Sequence, residues 1–148
     1  MPSEEKVTIL TFDPGEKFTG FAFVTNEYKI FDLNILAYGH IKFNNFKKLA
    51  REIDHLIQTH KPDFVGFEKT NSKMNGIYNI IIETACHKAR IPLIACYVPN
   101  IRKQLVGNEF ASKSQTNTII KSKTSMLANV ISKHALDAIA VGLFLLGK

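Results

Sequence analysis

Three stretches of this chain are apolar with almost no alternation: Val7 to Asp13 (VTILTFD), Phe64 to Phe67 (FVGF) and Leu93 to Val98 (LIACYV). A strand with one face in water alternates apolar and polar residues, so runs of this kind belong to strands covered on both sides. Helical segments separate them. Phe46, Leu49, Ala50, Ile53 and Ile57 recur at helical spacing, with Lys47, Lys48, Arg51, Glu52 and Asp54 on the other face. Asn44 or Asn45 is placed to cap this helix, and Lys61-Pro62-Asp63 ends it. A second helix is expected from about Gly76 to Arg90, with Pro92 beyond its end and an apolar run (Ile77, Tyr78, Ile80, Ile81, Ile82) that suggests burial on two sides. A helix joining two covered strands implies a right-handed crossover and parallel pairing.

The start of the chain reads differently. Thr19 to Thr25 is rich in aromatic and β-branched residues, Asn26-Glu27 can form a hairpin tip, and Tyr28 to Gly39 is a candidate third strand. After Pro99 the pattern predicts a short helical turn near Arg102, a polar loop from Gly107 to Ser114, a weak helix over Lys113 to Met126 and a final helix over His134 to Leu146. The expected architecture is α/β: a mixed sheet of about five strands with helices on both faces, residues 1–148 forming one domain.

Two of the apolar runs deliver a carboxylate where they stop, Asp13 and Glu68. Ligands gather at the carboxyl ends of parallel strands, so neighbouring strands would set these two acids side by side. His134 and Asp137 stand three residues apart at the start of the last helix and share one face of it. Ala138, Ala140 and Gly142 are small enough to let that helix lie close to the sheet. Three carboxylates and an imidazole at one point repel unless a cation neutralises them, and oxygen ligands with one imidazole suit Mg²⁺ or Mn²⁺. Two such ions can activate a water and stabilise a leaving oxygen in phosphoryl displacement. Each piece alone has a plainer explanation: Asp-Pro-Gly as a turn, a Glu as the first surface residue after a strand, a His–Asp pair as a helix cap.

The net charge of +6 is concentrated. Residues 101–133 carry Arg102, Lys103, Lys113, Lys121, Lys123 and Lys133 against Glu109 alone, a net +5. A cationic stretch beside an acidic metal site suits a phosphate backbone, although a lysine-rich solvated face accounts for the charge equally well. No run of 18 apolar residues predicts a membrane span, and the opening MPSEEKVT does not resemble a signal peptide, so a cytoplasmic protein with no membrane contact is expected. Cys86 and Cys96 are too few for a disulfide framework and read as reduced buried thiols.

ILTFDPGEKFTGFAFV, RKQLVGNEFASKSQ and HALDAIAVGL, in this order and spacing, resemble the opening, basic and closing segments of RuvC-type Holliday junction resolvases. The resemblance spans nearly the whole chain. It implies a ribonuclease H-like fold and a homodimeric, metal-dependent endonuclease of DNA recombination and repair. Such an enzyme cuts four-way junctions with two metal ions per site, leaving 5′-phosphate and 3′-hydroxyl ends. It maps the metal ligands onto Asp13, Glu68, His134 and Asp137, one catalytic lysine onto Lys113, and a second basic residue onto Arg102 or Lys103. The family can carry a base-stacking aromatic shortly after the catalytic Glu. Here Lys69 to Met74 contains none, and Lys69 and Lys73 are instead expected to hold phosphates, with Lys121 and Lys123 adding to the DNA-binding face. The alternatives are a ribonuclease H-like nuclease of flaps or RNA–DNA hybrid, and a junction-binding module without catalysis. An actin-like phosphotransferase, which also opens on an Asp and Gly turn, needs two lobes and so a longer chain.

Overall fold

A computed structural model describes residues 6–26, 35–69, 75–123 and 133–147. The strands are β1 (Thr8–Asp13), β2 (Phe18–Thr25), β3 (Ile35–Lys42), β4 (Phe64–Lys69) and β5 (Leu93–Tyr97). The helices are α1 (Phe46–His60), α2 (Asn75–Ala89), α3 (Val98–Val106), α4 (Lys113–Lys123) and α5 (Lys133–Leu145). The sheet order is β3-β2-β1-β4-β5, with the first three strands antiparallel and β1, β4 and β5 parallel. The expected mixed five-strand sheet is therefore present. Glu27 and the first part of the expected third strand, Tyr28 to Asn34, lie outside the described residues.

Alternation along the covered strands sorts their side chains between two cores. Leu10 and Phe12 of β1 and Val65 and Phe67 of β4 face α1 and α2, where Leu49, Ile53, Ile57, Tyr78 and Ile82 close the layer. Ile9, Ala22, Val24 and Cys96 face the opposite layer, built from Ile101 and Leu105 of α3, Ile120 of α4 and most of α5. By the same alternation Asp13 and Glu68 fall on the α5 side. The two cysteines sit in different cores, on opposite faces of the sheet, and both are free.

The level of the strands is set at their other ends. The Thr8 N–H donates to Asp63 Oδ2 at 2.8 Å, and the Asp63 N–H donates to the Thr8 carbonyl at 2.9 Å. Phe12 then lies opposite Phe67, and Asp13 and Glu68 are each the next residue on. Asn45 caps α1, its Oδ1 accepting from the Lys48 N–H at 2.8 Å, and Lys61 ends it in the left-handed conformation.

Small residues seat α5. A Cβ on Gly142 would stand 2.9 Å from Val24, and one on Gly20 would stand 1.8 Å from the His134 carbonyl oxygen. The N-terminal turn of α5 thus rests directly on the backbone of β2, at the residue paired with Asp13. Farther along, the buried Thr11 hydroxyl donates to the Ala138 carbonyl at 2.6 Å. These contacts decide where Asp137 comes to lie.

Four expectations need correction. The run Leu93 to Val98 is not a strand covered on both sides: β5 stands at the sheet edge with Ile94, Ala95 and Tyr97 exposed, and Val98 already belongs to α3. Instead of a short turn, α3 is a helix of nine residues, with proline in its first turn and Gly107 (φ 87°) closing it. Strand β4 runs on to Lys69, so Glu68 is within the strand rather than after it. The second helix is buried on one side: Tyr78, Ile82, Ala85 and Cys86 face the core, while Ile77 and Ile80 are exposed.

Candidate active site

A cavity of about 350 Å³ opens at the carboxyl ends of β1 and β4. It is lined by Asp13, Glu68, Arg102, Lys113, His134 and Asp137, with Pro14, Gly15, Thr116, Asn117 and apolar residues completing the wall. Residues from β1, β4, α3, α4 and α5 therefore meet at one rim. Sheet alternation and strand level place Asp13 and Glu68, and the seating of α5 on Gly20 and Thr11 places His134 and Asp137.

The carboxylates are close enough to disturb one another. Burial pushes Asp13 from its ordinary 3.8 up to about 9, helped by the negative charges of Glu68 and Asp137 and by a hydrogen bond with Asp137. Burial, then the charge of Asp137, raises Glu68 to about 6, against the pull of Lys113 and Arg102. Lys113 Nζ lies 2.8 Å from Asp137 Oδ2, and this bond leads a rise in the lysine pKa. Among the described residues, Lys113 and Arg102 are the cations that offset the crowding of these carboxylates.

This is the environment a hard cation relieves. The donors are carboxylate oxygens and an imidazole, and Asn117 Oδ1 on the cavity wall is buried with no hydrogen-bond partner among the described residues. The chemistry fits Mg²⁺ or Mn²⁺. As they stand, no three His, Cys, Asp or Glu side chains among the described residues converge as a ligand set. Asp137 is instead engaged by the Lys113 ammonium. The His134 ring stacks on Phe18 with centroids 5.0 Å apart, and His40 packs edge-on against the same phenyl ring at 5.3 Å.

The other sequence candidates are placed unevenly. Arg102 faces the cavity, whereas Lys103 is exposed and absent from its lining. Lys69 is exposed at the end of β4 and is also absent from the lining. Lys73 lies outside the described residues, as do the side chains of Lys121 and Lys123, whose backbone belongs to α4. Thr116 and Asn117 were not among the candidates. Their spacing of three and four from Lys113 on a helix was the available signal, because it puts all three on one face.

Known proteins resemble this chain in sequence and in fold. Residues 9–144 match the family model described as crossover junction endodeoxyribonuclease RuvC. A protein of that name from Baumannia cicadellinicola is 26% identical over 149 residues, covering 91% of this chain and 84% of its own. The structure of Thermus thermophilus RuvC superposes with a TM-score of 0.78 at 16% identity, over 93% of this chain and 92% of the other. The Fowlpox virus resolvase, solved with its substrate Holliday junction DNA, gives 0.63 at 18% identity, over 95% and 97%. At such identities the two structures establish a shared ribonuclease H-like fold. With the family model matched from β1 to α5, the chain belongs to the crossover junction endodeoxyribonuclease RuvC family.

Proposed function

We propose that this protein is a structure-selective endonuclease that hydrolyses phosphodiester bonds in branched DNA, mainly four-way junctions. The observation that carries the reading is the meeting of Asp13, Glu68 and Asp137 with Lys113 and Arg102 at one rim of the sheet. Asp13, Glu68, Asp137 and His134 would hold two divalent cations, Mg²⁺ or Mn²⁺. When bound, such ions supply a nucleophilic water at neutral pH and charge stabilisation for the leaving oxygen.

The remaining work falls to the chain itself. Asp13, which feels the charges of both Glu68 and Asp137, would bind a cation from the end of β1. Lys113 pairs with Asp137 in the cavity lining, where its ammonium can stabilise charge developing on a phosphate. Arg102 of α3, also in the cavity lining, offers a planar fork suited to phosphate oxygens. The basic segment 101–133 attracts the DNA arms, and Lys69 and Lys73 extend that attraction. A homodimer supplies two such rims for two symmetric nicks. The exposed Ile77 and Ile80 of α2, 40% and 63% accessible, are the face offered to a second copy.

The test sets the protein against a synthetic four-way junction, a linear duplex, a flap and an RNA–DNA hybrid, each with Mg²⁺. Preferential cutting of the junction by paired nicks near the branch point is expected. A clear preference for the hybrid or the flap overturns the reading.

A further inference from the structure

We propose that Phe110 is a base-stacking residue: its exposed ring, three residues before Lys113 of the candidate active site, packs on a nucleobase unstacked at the branch point of the bound DNA. The inference rests on the nuclease reading above and adds to it a contact with a base rather than with phosphate.

Phe110 is 86% exposed, more than any other large apolar side chain among the described residues, while the adjacent Ala111 is buried. Single exposed apolar residues are common, and exposure alone would carry nothing. The loop holding this ring is braced on each side. Gly107 closes α3 through its N–H to the Lys103 carbonyl at 2.9 Å. Asn108 then bridges the tip: its Oδ1 accepts from the Phe110 N–H at 2.9 Å and its carbonyl accepts from the Ala111 N–H at 3.1 Å. Ser112 and Gln115 bond reciprocally at 2.8 and 3.0 Å to cap α4. A loop ordered this tightly could have turned the ring inward, as it does the Ala111 methyl. It presents the ring to solvent instead.

The surroundings say what meets it. Three residues on is Lys113, paired with Asp137 inside the cavity. The ring lies in the segment that carries six cations against Glu109 alone. An exposed aromatic set among phosphate-attracting charges is the two-part chemistry that binds unpaired nucleotides, the cations tracking the backbone and the ring taking a base face. The net charge of +5 on this segment favours a polyanion as the partner. Bases within a continuous duplex have no free face, so the contact selects DNA opened at a branch.

The experiment uses the full chain without divalent metal, so that junctions are bound and not cut. Four-way junctions carry 2-aminopurine at successive positions around the branch point. We expect one position whose fluorescence changes on binding with the wild-type chain and with Phe110→Trp, and does not change with Phe110→Ala. Phe110→Ala is expected to melt at the wild-type temperature and to bind the junction about tenfold more weakly. The same factor should hold at low and high salt, because no phosphate contact has been removed. Equal affinity and an unchanged fluorescence response in Phe110→Ala overturn the inference. So does a loss of affinity that follows a change in oligomeric state or in salt dependence. If the wild-type chain itself does not prefer the junction to duplex, the nuclease reading fails first, and that result is distinct from the others.

Discussion

Replacing Asp13 by asparagine keeps the shape of the side chain and removes the charge that its surroundings tolerate least. In the metal-free protein burial, Glu68 and Asp137 push this carboxyl from 3.8 up to about 9. Over that interval the folded chain holds a proton that the unfolded chain has lost. Stability therefore falls as pH rises from about 4 to about 9, by at most about 1.4 kcal/mol per pH unit. Glu68, raised to about 6, adds a smaller loss of the same sign below neutrality. At pH 7 the Asp13 effect has accumulated over about 3 units, a ceiling of about 4 kcal/mol. Glu68 and Asp137 share the strain and relax when Asp13 is neutral, so about 2 kcal/mol is expected for Asp13→Asn, or roughly 4–8 °C in Tm. Thermal melts in EDTA from pH 4 to pH 8.5 read this directly. The variant should match the wild type near pH 4 and exceed it increasingly as pH rises above that. Parallel pH profiles would show that Asp13 does not sit among mutually repelling acids, and the argument for a cation would go with it.

Other substitutions probe the parts that build the site. Lys113→Met frees Asp137 from its ammonium; Mn²⁺ should bind at least as tightly by calorimetry, while single-turnover junction cleavage slows by about 10²–10³-fold. Thr11→Val removes the hydroxyl donated to the Ala138 carbonyl, which keeps its bond within α5, a loss of about 0.5–1.5 kcal/mol in urea titration. Gly20→Ala drives a methyl into the His134 carbonyl and should cost about 2–3 kcal/mol by the same assay, with metal affinity falling as α5 is displaced.

The parallel half of the sheet was legible because strands covered on both faces cannot alternate, and β1 and β4 do not; β5 shows a similar apolar run but is an edge strand with Ile94, Ala95 and Tyr97 exposed. The shared rim of Asp13 and Glu68 followed from the same fact, since strand-end positions on parallel neighbours point one way. The length of α3 was also written in the chain, as proline in its first turn and Gly107 at its end, but the helix is short and buries only Ile101 and Leu105, too few positions to show a period. The seating of α5 was not legible. The bond from Thr11 to Ala138 joins residues 127 apart, and nothing local to either announces it. The choice between Arg102 and Lys103 turned on the rotation of α3 about its axis, which short periodic patterns do not resolve. Phe110 was lost in a polar loop because exposure of a single ring is a tertiary property.

The central claim is that Asp13, Glu68 and Asp137, with His134, form a seat for divalent cations at the carboxyl edge of the sheet. An anomalous difference map from crystals soaked in Mn²⁺ tests it most directly. The account predicts strong peaks within coordination distance of Asp13 and Glu68, absent from crystals of Asp13→Asn. A wild-type map with no peak in this cavity under saturating Mn²⁺, or with manganese bound only elsewhere, contradicts it.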